Sequence, residues 1–175
     1  MAFRAEIENF GSFYEQTYDG AYRTALAIVR EPALAADVTQ DAYVTAYQRR
    51  ATFRGDAPGY AWLHSIVVNR ALDSVRRGGR AKVVELDLAT HGRRTDIAGA
   101  TSDRVALFAA LDALRPQQRA AVVLRYYHDY DYATIAHILG TSTSNVGVML
   151  SRALDRLREF LEPGELAMAA AGTSR

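Results

Sequence analysis

The sequence predicts an all-α protein, two small helical domains joined by a flexible linker, and three observations carry that prediction. Alanine and leucine are abundant and β-branched runs are few, which favours helix over strand. Apolar residues recur at spacings of three and four over long stretches, as helices with one buried face require. Between about residues 78 and 102 the periodicity gives way to scattered Gly, Thr and Arg, which reads as a linker. The division that follows is a first domain over 1–77, a linker over 78–102, a second domain over 103–161 and an alanine-rich tail over 162–175, expected to fray.

The first helix runs from Phe10 to Val29, with Phe10, Phe13, Tyr14, Tyr18, Tyr22, Leu26 and Val29 at helical spacing. Glu31-Pro32 ends it and starts the next, because proline's missing N–H costs nothing in a first turn. The second helix, to about Arg50, has a small-plus-aromatic inward side of Ala35, Thr39, Ala42, Tyr43, Ala46 and Tyr47. Asp37, Gln40, Asp41, Val44 and Gln48 share its opposite side. That side is either a solvated face or a surface for a basic partner. Phe53 to Gly59 is a loop by its glycines and proline. A third helix follows from Tyr60 to about Arg77, buried along Leu63, Ile66, Val67 and Ala71. Trp62, Ser65, Asn69, Asp73 and Arg76 fall on another side. An aromatic ring beside amide and guanidinium groups suits unstacked bases; equally, Trp62 could plug the core beside solvated polar groups.

Beyond the linker, Val105–Leu114 resumes a helix, Pro116 starts another, and Ala120–Tyr127 leads into YDYATIAHILGTSTSNVGVMLSRALDRL. Asp131 caps a short helix through Ile135, Ala136, Ile138 and Leu139, Gly140 ends it, and Ser142 caps a second. Val146, Met149, Leu150, Ala153, Leu154 and Leu157 form the packed side of that second helix. This is the pattern of a helix-turn-helix, whose second helix enters the DNA major groove. Its exposed side carries Ser144, Asn145, Val148, Ser151 and Arg152. Asn pairs with adenine, Arg with guanine or phosphate, and Val packs on a thymine methyl. An ordinary helical hairpin is the alternative.

A formal charge of only +1 on 175 residues implies weak intrinsic DNA affinity, since non-specific binding comes from phosphate neutralisation. The absence of Cys excludes disulfides and thiolate metal sites. No apolar stretch approaches the roughly 18–20 residues of a membrane span, and no signal-peptide core is visible, so a cytoplasmic location is expected, with no membrane partner. His64, His91, His128 and His137 do not pair at metal spacing, and no nucleophile has a recognisable setting. No metal, no cofactor and no enzymatic activity are expected. His128 beside Asp129 reads as a solvated turn.

Taken in order, FYEQTYDGAYRTALAIVREPALAADVTQDAYVTAY, FRGDAPGYAWLHSIVVNRALDSVRR and LDALRPQQRAAVVLRYYHDYDYATIAHILGTSTSNVGVMLSRALDRLRE resemble the two-domain bacterial sigma-70 family RNA polymerase sigma factors of the extracytoplasmic-function group, over roughly residues 10–161. The resemblance implies a promoter-specificity subunit with a region 2-like and a region 4-like domain. Core RNA polymerase would dock on the helix bearing Asp37, Gln40, Asp41, Val44 and Gln48. The −10 element would be melted and captured at Arg54, Gly55, Asp56, Trp62, Asn69 and Arg70, with Arg76 and Arg77 nearby for phosphates. The −35 element would be read by Ser144, Asn145, Val148, Ser151 and Arg152. The linker would thread near the RNA path, and an anti-sigma factor is among the partners implied. The chain departs from the family at Ala36, usually an acid, and at Gly147 and Met149, usually basic. The rival readings are a conventional helix-turn-helix repressor, which would dimerise on a palindrome, and a helical protein–protein adaptor.

Overall fold

A computed structural model describes residues 7–55, 57–78 and 110–171, with side chains through Phe160. Within these residues the regular structure is helical: α1 (Phe10–Val29), α2 (Pro32–Arg49), a 3-10 turn (Arg50–Thr52), α3 (Gly59–Gly78), α4 (Pro116–Tyr126), α5 (Tyr132–Leu139) and α6 (Thr143–Ala171). The linker beyond Gly78, Asp56 and residues 172–175 lie outside the described part. The tail expected to fray from residue 162 is instead helical in its backbone to Ala171, in line with the helix propensity of its alanines.

The helix ends follow from their caps. Asn9 accepts the Ser12 N–H at 3.2 Å to open α1, and Arg30, at φ 64°, turns the chain out of it. Pro32 stands in the first turn of α2. Asp131 accepts the Thr134 N–H at 2.7 Å, which holds its carboxyl below the usual range. Gly140, at φ 61°, gives α5 the left-handed terminus that a side chain would strain. Ser142 then accepts the Asn145 N–H at 3.2 Å, the cap expected for α6.

The core of the first domain joins Ile28 and Val29 from α1, Ala35, Ala42 and Ala46 from α2, and Leu63, Val67 and Val68 from α3. The same core runs without interruption into Leu124, Ile135, Ile138, Val146 and Leu150 of the second domain. A smaller cluster of Ala110, Leu111, Leu114, Ala153 and Leu157 closes the far side. The two helical domains are thus packed on one another, α1 against α4 and α3 against α5. Arg119 secures this packing from a site where it is only 8% exposed. It donates to the Ile28 carbonyl at 2.9 Å and the Leu114 carbonyl at 3.1 Å. Burial first, and the Arg30 cation second, lower its pKa to about 10.

Candidate functional site

On α2, Asp37, Gln40, Asp41, Val44 and Gln48 all face solvent, as the spacing predicts. Tyr47 does not pack inward as expected; it is 50% exposed. The reason is the neighbouring helix. Phe10, Tyr14 and Tyr18 of α1 stand opposite Tyr43, Val44 and Tyr47 and form an aromatic-walled groove that Ala36, Gln40 and Gln48 complete. Tyr47 meets Phe10 edge-on at 5.2 Å, and Tyr14 meets Tyr43 at 4.7 Å. The Tyr43 hydroxyl and Thr17 hydroxyl lie 2.7 Å apart, and burial raises the Tyr43 pKa far above its ordinary value. Thus Gln40, Val44 and Gln48 of the expected face line an aromatic groove, and Asp37 and Asp41 are exposed on the same helix. The aromatics at i, i+4 and i+8 of α1 were the signal for it, and core periodicity alone reads them as buried.

The second set of predicted residues lies along α3 and the loop before it. Gly55 has φ 77°, a conformation that favours glycine, and Arg54 beside it is exposed. Trp62 is half-buried with its ring 5.1 Å from that of buried Phe53, so it both supports the loop and presents an edge. Asn69 is exposed two turns further on. Arg70 turns back to α2, pairing with Asp41 at 3.2 Å and donating to the Thr45 hydroxyl at 2.5 Å. Asp41 and Arg70, assigned to different partners by the sequence reading, are therefore brought together. Asp73 holds both remaining arginines, Arg76 at 2.8 Å through its carboxylate and Arg77 at 3.3 Å through its carbonyl.

The helix-turn-helix is formed by α5 and α6. Ile135, Ile138, Val146, Leu150 and Ala153 are buried, and Met149 is half-buried against the core as expected. Ser144, Asn145, Val148, Ser151 and Arg152 are all exposed. Asn145 donates from its side-chain amide to the Thr141 hydroxyl at 2.7 Å. Gly147 faces the Tyr132 ring of α5, and a Cβ there would lie 3.6 Å from Tyr132 Cε2, an ordinary contact. Gly147→Ala should therefore stabilise the chain by about 0.5–1 kcal/mol, the helix-propensity difference, read as a higher midpoint in thermal unfolding. An unchanged or lower midpoint would show that α6 needs the glycine.

His128 is not in a solvated turn. It is half-buried, with Nε2 2.7 Å from the Thr24 hydroxyl of α1 and its ring 4.0 Å from that of His64. The chain can enter this position because Asp129, at φ 54°, takes a left-handed conformation that Asp tolerates. Among the described residues, no group of three or more His, Asp or Glu converges as metal ligands. Nor is any helix there long and apolar enough to cross a membrane.

Fold and surfaces together define an all-helical protein in which a helix-turn-helix is coupled to a domain with an aromatic groove and exposed acids on the same helix. Comparison with known proteins places that class. The sigma-70 region 2 family matches residues 13–81, and the sigma-70 region 4 family matches residues 104–157. The ECF RNA polymerase sigma factor SigM of Mycobacterium tuberculosis is 33% identical over 153 residues, covering 87% of this chain and 76% of that protein. Two solved structures share the fold. The sigma factor RpoE of Bartonella quintana, crystallised with the anti-sigma factor NepR, gives a TM-score of 0.72 at 23% identity, covering 89% of this chain and 98% of that one. CnrH, in complex with the cytosolic domain of CnrY, gives 0.69 at 22% identity, covering 93% and 99%. The chain belongs to the extracytoplasmic-function group of sigma-70 family RNA polymerase sigma factors, which direct promoter-specific transcription initiation. The repressor and adaptor readings are set aside on this ground.

Proposed function

We propose that this sigma factor divides its work among three surfaces. The groove between α1 and α2, with Asp37, Gln40, Asp41, Val44 and Gln48 on α2, receives core RNA polymerase. The Arg54–Asp56 loop with Trp62 and Asn69 captures unpaired bases of the −10 element, with Arg70, Arg76 and Arg77 as its basic surround. The outer side of α6, with Ser144, Asn145, Val148, Ser151 and Arg152, reads the −35 element. The observation that carries this reading is the exposure of the α6 face on one domain while the other offers an aromatic groove beside exposed acids on α2. A near-neutral chain of this kind depends on polymerase for most of its affinity, which limits stray binding across a genome. It works by binding rather than by chemistry, in the cytoplasm, and an anti-sigma factor is a further partner. The complex of the sigma factor RpoE of Bartonella quintana, a protein of the same fold, with the anti-sigma factor NepR supports this last point.

Run-off transcription with core polymerase on a pool of promoter sequences tests the assignment. The expected result is selection of two conserved elements. Asn145→Ala and Val148→Ala should each relax preference at one base pair of the upstream element, the first by about 1–3 kcal/mol if its contact is bidentate, the second by losing an apolar contact with a thymine methyl. Arg152→Ala should weaken all sequences alike if its partner is a phosphate. Unaltered selection by the first two variants would move the base-reading role off α6.

A further inference from the structure

A polar cluster sealed between the two helical domains has no part in any of the three surfaces. On α1, the Thr24 hydroxyl donates to the Gly20 carbonyl at 2.8 Å, and that carbonyl has no proton to give. The same oxygen lies 2.7 Å from His128 Nε2. A hydroxyl has one proton, so His128 Nε2–H is the donor to Thr24. On α3, His64 is 4% exposed, with Nδ1 2.7 Å from the Tyr130 hydroxyl. The two imidazoles lie 4.0 Å apart, centre to centre. Both press on α1 at Gly20, where a Cβ would sit 3.6 Å from His128 Cε1 and 4.0 Å from His64 Nε2.

The surroundings are neutral. Gly20 and Thr24 of α1, and Tyr127 and Tyr130 of the turn between α4 and α5, face the two imidazoles, and Tyr60 of α3 stacks on Tyr130 behind them. The nearby charges, Arg125 and Asp129, pair with each other at 3.7 Å, and the Asp129 side chain is 96% exposed. Among the described residues, no carboxylate pairs with either imidazole. A proton on either ring would thus be a buried cation without a counter-charge, and protons on both would repel.

We propose that Thr24, His64, His128 and Tyr130 form a proton-sensitive latch, which holds the helix-turn-helix domain against the first domain and lets go when the imidazoles are protonated. The consequence for promoter binding rests on the sigma-factor reading; the latch itself does not. Elements centred near −10 and −35 are ~25 base pairs apart, or ~85 Å at 3.4 Å per pair. A compact body of this many residues is only about 40 Å across. The latched form therefore cannot read both elements at once, and promoter engagement requires the domains to part.

The titration follows from the environment. Burial, and then the neighbouring His128, lower the His64 pKa to about 3; burial lowers that of His128 to about 4. Released into water, both return toward the ordinary value of about 6.5. Above that value both rings are neutral in either form, and the latch is fully effective. As pH falls toward the lowered values, the open form binds protons that the closed form refuses, and closure is lost. Each imidazole contributes up to about tenfold per pH unit, so the open-to-closed ratio should rise about a hundredfold between about pH 7.5 and pH 5.5.

Because the chain has no cysteine, Gln16→Cys with Glu159→Cys places a donor and an acceptor dye uniquely, one on α1 and one on α6. Energy transfer in the full chain is read at both pH values, with helix content followed by circular dichroism. The expected result is a fall in transfer at constant helicity. In His64→Gln/His128→Gln the transfer should no longer depend on pH in this range. Gly20→Leu, whose side chain must displace both rings, should give low transfer already at neutral pH while favouring the helix. Transfer that stays constant in the parent, falls equally in the double variant, or falls only with helicity overturns the latch; so does a Gly20→Leu chain that stays closed. Adding core polymerase at neutral pH is a separate arm. Unchanged transfer there counts against the promoter reading and leaves the acid response to decide the latch.

Discussion

Asp37→Arg combined with Val44→Asp should abolish co-purification with core RNA polymerase while leaving helix content unchanged. Val44 is 51% exposed and lies in the wall of the groove, between Tyr43 and the Tyr47 turn. A carboxylate there would have to be desolvated against apolar rings when a partner helix seats, and Asp37→Arg reverses the charge at the rim. Loss of a central apolar anchor together with a reversed rim charge amounts to about 2–4 kcal/mol, or roughly 30- to 1000-fold in affinity. Both residues face water, so the fold has little to lose. Asp41 is unsuited to the same reversal. It holds Arg70 at 3.2 Å, and an arginine in its place would set two cations side by side across α2 and α3. The measurement is a pull-down at moderate salt, where screening has already reduced rim contributions. Undiminished capture would remove the groove from the docking role.

Local signals in the sequence were strong where one residue type had one physical reason to be there. Asp131, Gly140 and Ser142 mark the helix-turn-helix because a cap, a left-handed terminus and a second cap have few alternatives, and each is found in that role. Val29 ends α1 because Glu31-Pro32 interrupts the periodicity. The groove was harder to read. Periodicity assigns Tyr14, Tyr18 and Tyr47 to a buried side, but an aromatic row wide enough for two helices leaves its outer rings uncovered. The interface between the domains was not legible at all. His64 and His128 are separated by a stretch of chain that carries no pairing signal, and both sit in segments that read as helix side and turn. Their partnership depends on how α3 and the α4–α5 turn approach α1 at Gly20, which is a property of tertiary packing. The pairing of Arg70 was hidden for a related reason: an arginine on α3 has a carboxylate and a hydroxyl within reach only once α2 is beside it.

Strand opening should fail selectively in Asn69→Ala and Arg54→Ala. Both positions are exposed, on α3 and on the loop that Gly55 turns, and they flank the half-buried ring of Trp62. A base extruded from the duplex needs a surface to stack on and polar groups for its edge and phosphate, and each such contact is worth about 1–3 kcal/mol. Each variant should therefore bind core polymerase as the parent does, yet reduce open-complex formation by roughly 5- to 100-fold on that scale. The readout is permanganate reactivity of unpaired thymines near the start site. A promoter already unpaired across the −10 element should recover part of the loss, because the cost of unstacking no longer falls on the protein. Trp62→Ala is a poorer probe. Its ring packs 5.1 Å from that of Phe53, and truncating a large aromatic in such a setting costs about 3–5 kcal/mol of stability, which would confound the loss of capture. Normal opening of a duplex promoter by both Asn69→Ala and Arg54→Ala would return this side of α3 to a supporting role, with Trp62 serving the loop alone.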